Sequence, residues 1–285
     1  MRKIIMVCMI CAMLMCSSAF AAPALNVNVN VNQNSASTVN WRQGSDSDII
    51  AVGISQPDSR GMALAREAAI MAAQRNLISL AQGLRINSET TMRDLIIESD
   101  VVNRKVTGAL RGAQIVEENS TPEGGYYVKM RVPLYGATGS IAAAVMPSIV
   151  SANPKPFAKA NRLLSDVDGQ QVIYTGVIID ASGLGLEPTF APAVYDESGR
   201  VIYGAEYLKQ ETVISEGMAG YAHNIGEGTE RAGENPLVVK AVNVRGGDST
   251  INKVNVVVSE EDAEKILLAN EETQILDQCA VVFVR

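Results

Sequence analysis

The chain has 285 residues, 24 of them basic and 31 acidic, for a net charge of −7. That balance excludes a nucleic-acid footprint, which needs a basic face, and electrostatic attachment to anionic lipid. Hydrophobic residues make up 47% of the chain, enough for a real core, and the length suits two domains.

Residues 1–21 open with Arg2 and Lys3, continue through an apolar run from Ile4 to Cys16, and end in Ala19-Phe20-Ala21. This is the pattern of a secretory signal peptide with an A-x-A cleavage site, which predicts a mature chain from Ala22. The protein is therefore expected to be exported, to the periplasm or the outer-membrane periphery. The apolar run is too short to span a bilayer stably, so no integral span is expected after cleavage. Cys8, Cys11 and Cys16 lie inside this segment and leave Cys279 alone in the mature chain. It can form no internal disulfide and is expected to be a buried small hydrophobe. Without Arg2 and Lys3 the mature chain counts 22 basic against 31 acidic residues, a net charge of −9.

A polar leader spans residues 22–47. Its oddest part is Leu25 to Asn34, where Val27, Val29 and Val31 alternate with Asn28, Asn30 and Asn32. Period two is a strand signature. The segment reads either as a disordered leader or as a strand that adds to the edge of a sheet, in its own chain or a neighbour's. Trp41, the single tryptophan, lies in the same leader. Packing back on the domain is the favoured reading, and anchoring of a partner the other.

Asp48 to Ile54 predicts the first strand of a domain over residues 48–146. Gly61 to Leu84 predicts one long amphipathic helix: Ala65, Ala69, Ala73, Leu77, Leu80 and Leu84 share a face at 3.6 residues per turn. Its alanine half is expected to sit tight on a β-sheet. Asp58 or Ser59 is the expected N-cap. Arg66 and Asn76, near the apolar face, are expected to bond loop carbonyls at the sheet edge. The run Ala65-Arg66-x-x-Ala69-x-x-x-Ala73-x-x-x-Leu77, with Gly83 beyond, resembles the helix of the Lpp-twenty type of outer-membrane lipoproteins. It is also similar to the N-terminal domain of flagellar assembly protein T. The resemblance covers roughly residues 45–135 and implies a strand, the long helix, a shorter helix and a β-hairpin, in an envelope-associated protein. Lipoprotein signals need a small residue before the lipidated cysteine. Met15 precedes Cys16 and Ile10 precedes Cys11, so direct lipid anchoring is not expected.

After the long helix, Ile86 to Met92 could form a strand, and Ser99 to Leu110 reads as the shorter helix. Ala113–Glu118 and Gly125–Leu134 form a hairpin, with Val128, Met130, Val132 and Leu134 inward and Tyr127, Lys129 and Arg131 outward. A short helix and a linker at 147–156 lead to a second α+β domain over residues 157–285. There, Asn161 to Ser165 is expected helical. Val172–Ile179 is a central strand, and Phe190–Tyr195 and Arg200–Tyr207 flank the type I turn Asp196-Glu-Ser-Gly199. Leu237–Val244 and Lys253–Val258 are strands. A helix capped at Ser259 buries Ala263, Ile266, Leu267 and Asn270, and Ala280–Val284 closes the domain as a buried strand. The predicted fold class is α+β: two small domains, the first an antiparallel sheet with a long amphipathic helix on one face.

The chemistry-bearing residues are sparse. His223 is the single histidine, so histidine-rich zinc sites and thiolate clusters are excluded and no metal or cofactor is expected. Asp166-Val-Asp168-Gly169 opens like a calcium loop but lacks the later acids. Gly183-Leu-Gly185 lacks the third glycine of a dinucleotide fingerprint, and Arg245-Gly-Gly-Asp248 reads as a hairpin turn. Glu216 to Pro236, rich in glycine and carrying Tyr221, His223 and Arg231, reads as a long irregular loop and the best candidate surface. The expected function is that of a non-enzymatic envelope protein working through contacts with envelope proteins or its own copies. Candidate contact residues are Val27, Val29, Val31, Trp41, Tyr221, His223 and Arg231. The alternative is a periplasmic ligand- or cell-wall-glycan-binding module, for which few aromatics offer a stacking platform. A hydrolase is disfavoured by the lone histidine.

Overall fold

A computed structural model describes residues 37–41, 46–161, 172–246 and 252–285. The signal segment, Val27, Val29 and Val31, the Asn161–Ser165 helix beyond its first residue, Asp166–Gly169 and the tip of the Arg245–Asp248 turn lie outside the described residues. The fold is α+β, with two sheets.

The first sheet is antiparallel, in the order β1-β2-β4-β3. It comprises β1 (Thr38–Asn40), β2 (Asp48–Ser55), β3 (Gln114–Ser120) and β4 (Tyr126–Pro133). Helix α1 (Met62–Gly83) lies on one face and buries Ala65, Ala69, Ala73, Leu77 and Ala81. Strict i, i+4 spacing thus carries the stripe through Ala81, and Leu80 is only partly buried. The alanine half does sit tight on the sheet. A Cβ added to Gly53 of β2 would stand 2.0 Å from the Ala69 carbonyl oxygen and 2.4 Å from the Ala73 nitrogen. Backbone rides on backbone, and a glycine faces two alanines because nothing larger fits.

The start of α1 differs from expectation. Gly61 occupies the N-cap without a side-chain bond, while Asp58 accepts from the backbone N–H and the guanidinium of Arg60. Asn76 donates to a carbonyl, that of Val52, but within β2 rather than a loop. Arg66 instead pairs with the Glu118 carboxylate on β3, 2.7 Å away. Ile86–Met92 is no strand. Asn87 accepts from the N–H groups of Glu89 and Thr90, making a tight turn. Thr91 then caps α2 (Met92–Glu98) in a capping box with Asp94. Ser99 caps α3 (Asp100–Arg111), which buries Val102, Val106 and Ala109, with Leu110 partly buried beside them. In the hairpin, Val128, Met130, Val132 and Leu134 are buried. Tyr127, expected outside, is buried too, on the face away from α1.

After α4 (Ile141–Val145), capped by Ser140, the chain enters a seven-stranded mixed sheet in the order β7-β6-β10-β9-β5-β11-β8. Its strands are β5 (Gly176–Asp180), β6 (Val194–Asp196), β7 (Val201–Tyr203), β8 (Gly220–Ala222), β9 (Pro236–Arg245), β10 (Asn255–Val258) and β11 (Val281–Val284). The closing strand β11 runs parallel between β5 and β8, which explains its unbroken apolar run: both faces are covered. One face joins the main core with α5 (Gln210–Glu216) and α7 (Glu260–Thr273). The other face, with Ile178, Val282 and Val284, packs on α6 (Ile225–Ala232). Strand β5 begins at Gly176, later than the apolar run suggests, because its neighbour β9 begins opposite it at Pro236.

Residues of both sheets join one buried cluster, from Ile49 and Leu77 to Phe190 and Phe283. Backbone bonds cross between them: Phe190 and Ala191 donate to the carbonyls of Arg85 and Ile86, and Gly136 donates to that of Ile214.

Candidate binding surfaces

The glycine-rich stretch 216–236 is not an irregular loop. It contains β8 and α6, bounded by the positive-φ residues Gly217 and Gly233. Gly217 also admits the Tyr135 ring, which would lie 2.6 Å from an added Cβ. Gly228 sits within α6 over Ile178, where an added Cβ would be 3.0 Å from the side chain. The glycines mark helix ends and close packing, two uses that composition cannot tell from flexibility.

Tyr221, His223 and Arg231 take their places in and between these elements. Tyr221 is only 7% exposed. Its hydroxyl donates to the Thr189 carbonyl and accepts from the Thr189 N–H, and burial pushes its pKa far above the usual phenol range. Arg231 is a clamp: its guanidinium donates to the backbone carbonyls of Cys279, Glu216 and Gly217. It ties the two ends of its own segment to the approach of β11. His223 is exposed, beside the Glu227 carboxylate at 3.2 Å, at the start of α6. Its backbone N–H bonds the same carboxylate, which holds the Glu227 pKa below the usual carboxylate range. Among the described residues no group of three metal-ligating side chains occurs, and no helix is long and apolar enough to cross a membrane.

Trp41 packs back on the fold. Its indole meets Phe190 edge-to-face at 5.1 Å and Tyr221 at 6.0 Å. Two candidate residues far apart in sequence, Trp41 and Tyr221, therefore share one aromatic cluster, which Phe190 completes. Beside it opens a groove of about 350 Å³, lined by Trp41, Ser79, Leu80, Arg85, Glu187 and Pro188 among others. It forms where the C-terminal end of α1 meets β1 and the 184–190 connection. Arg85 and Glu187 make an ion pair in its lining, 2.8 Å apart and both partly exposed. A second groove of about 340 Å³ includes Tyr195, but the Arg245 guanidinium covers that ring at 4.1 Å. Neither groove was legible in the sequence, since Trp41 and Glu187 are joined only by the fold.

A different kind of surface is the outer edge of β3. The strand ends its sheet, and among the described residues no strand pairs with that edge. Six of its seven residues are exposed, including Ile115 (39%) and Val116 (49%). On the opposite side of the sheet, β2 beyond β1 is closed: the Val52 N–H donates to Ser37 Oγ and the Val52 carbonyl accepts from Asn76.

A family model of the second domain of Treponema pallidum Tp0624 matches residues 176–285. The match starts at the first residue of β5 and takes in every strand of the seven-stranded sheet. A comparison with curated proteins finds no match. Over this C-terminal part, the chain is similar to the Tp0624 second domain.

Proposed function

We propose that this is an exported cell-envelope protein that works without catalysis, as an assembly or scaffold component contacting other envelope proteins or its own copies. The observation that carries the reading is the open edge of β3. Soluble proteins blunt or cover long strand edges, because unpaired N–H and C=O groups recruit other strands. Here the seven-residue edge carries exposed Ile115 and Val116 beside a register irregularity and the acids Glu117 and Glu118, which narrow the open part to its first half, while the β2 edge is stoppered by Ser37 and Asn76. Addition of a partner strand is the recognition mode that suits such an edge. The resemblance to the Lpp-twenty lipoproteins and flagellar assembly protein T rests on the sequence of α1, and the structure departs from the implied order, with one more strand before α1 and two shorter helices after it. We carry that likeness here as a reading: association with the outer membrane or a flagellar-type ring.

The test is in-cell cross-linking of the tagged protein, in the natural chain and in Ile115→Lys and Val116→Lys variants. Recurrent capture of its own chain or one envelope assembly, lost in the variants, supports the reading. Both side chains are exposed, so the variants should fold. Capture of nothing at near-native abundance, or capture that ignores both substitutions, sinks it.

A further inference from the structure

We infer that the groove beside Trp41 binds a saccharide, with a pyranose ring against the indole and its hydroxyls on the outer side of the Arg85–Glu187 pair. The inference is independent of the strand-edge reading and rests on four observations. First, the groove has an aromatic wall held rigid from behind: Trp41 is fixed edge-to-face by Phe190 and Tyr221, and Tyr221 is itself pinned through Thr189. A rigid indole binds at low entropic cost, since its rotamer is already set by packing. Second, among the described residues no acceptor is bonded to the indole N–H, although the ring is part of the core cluster's border. Third, the polar groups in the groove are balanced. Arg85 and Glu187 are paired at 2.8 Å, so a charged ligand gains no net attraction. A neutral ligand with neighbouring hydroxyls gains twice, because one hydroxyl can accept from a guanidinium N–H outside that contact and its neighbour can donate to the other carboxylate oxygen. Ser79 adds a further hydroxyl to the lining. Fourth, about 350 Å³ falls at the small end of ligand pockets, which run from roughly 300 to 1,000 Å³. That suits one or two sugar rings rather than a long chain.

The position of Arg85 is not accidental. Its carbonyl accepts from the Phe190 N–H and from the Thr189 hydroxyl, so the residue that carries the guanidinium is bonded to the neighbours of the aromatic wall.

Because the chain has one tryptophan, its fluorescence reports on this groove alone. The experiment titrates the purified protein with a β-1,4-linked N-acetylglucosamine trimer, following Trp41 emission, with calorimetry as a second readout. Glu187→Gln and Arg85→Lys are measured beside the natural protein, and thermal melts check that each is folded. The expected result is a saturable emission change, with binding weakened roughly tenfold in either variant, the size of one lost charge-assisted hydrogen bond. No saturable change at millimolar trimer overturns the inference. So does binding that is equal in Glu187→Gln and the natural protein, which would put the sugar elsewhere. Preferential saturation by a short cationic peptide over the trimer also overturns it, because it would make Glu187 alone the recognising group.

Discussion

Gly53 offers the sharpest test of how the first sheet holds its helix. Replacing it with alanine would put a methyl group 2.0 Å from the Ala69 carbonyl oxygen and 2.4 Å from the Ala73 nitrogen, both backbone atoms of α1. Ordinary contact begins at 3.4 Å, so the helix must retreat by about 1.4 Å or the strand must buckle. A retreat opens a gap along the buried stripe Ala65, Ala69, Ala73, Leu77 and Ala81. A radial gap of about 0.5–1 Å already forfeits a quarter to a half of each dispersion contact. Against this, alanine restricts the unfolded chain and returns about 0.4–1 kcal/mol. Overpacking against a backbone that cannot rotate away belongs at or above the upper end of the usual 1–3 kcal/mol, so a net loss of about 3 kcal/mol is expected. In a protein of this size that lowers the melting temperature by roughly 6–12 °C. The assay is urea unfolding followed by far-UV circular dichroism. Gly108→Ala serves as the control: Gly108 lies on α3 with nothing within 4 Å of an added Cβ. It should stabilise by about 0.5–1 kcal/mol through helix propensity. A Gly53→Ala protein within about 0.5 kcal/mol of the natural one, the range of surface changes, would refute direct backbone contact between α1 and β2.

Four further outcomes follow from the second sheet. Arg231→Ala should cost about 2–4 kcal/mol in urea unfolding, since three backbone carbonyls lose a charged donor; His223→Ala, at an exposed position, should stay within about 0.5 kcal/mol. Burial raises the Asp196 pKa, but the Ser198 hydroxyl and the Arg200 guanidinium and N–H outweigh it and hold the carboxyl below its ordinary value. A depressed pKa contributes stability that is present above the unfolded value, near 3.8, and lost as pH falls through the folded value. Asp196→Asn should therefore cost about 2 kcal/mol at neutral pH, discounted for the partial exposure of Arg200. The difference between variant and natural protein should shrink as pH falls below that value, and a gap independent of pH would count against the pairing. Burial likewise pushes the Cys279 thiol up, so mass spectrometry should find Cys279 labelled by a thiol reagent only under unfolding conditions; prompt labelling of the folded protein would contradict its burial.

The sequence by itself determined the elements whose pattern is local. Ala65 to Leu77 at steps of four gave α1, and the alternation Val128-x-Met130-x-Val132 gave β4. Ser259 before three acids gave α7, and Asp196 to Gly199 gave the turn between β6 and β7. In each case a period or a cap acts within a few residues, so no distant partner was needed. Only tertiary structure decided the rest. Whether Gly217, Gly228 and Gly233 are loose or load a helix end depends on Tyr135, Ile178 and Thr175, residues distant in the chain. Tyr127 is buried on the face opposite α1 although the alternation assigns it to solvent. The Trp41 groove joins residues 41, 79–85 and 187–188, and the open edge of β3 exists because the sheet order ends there. A binding surface is a property of neighbours in space, and sheet order and helix docking choose those neighbours after the local pattern has done its part.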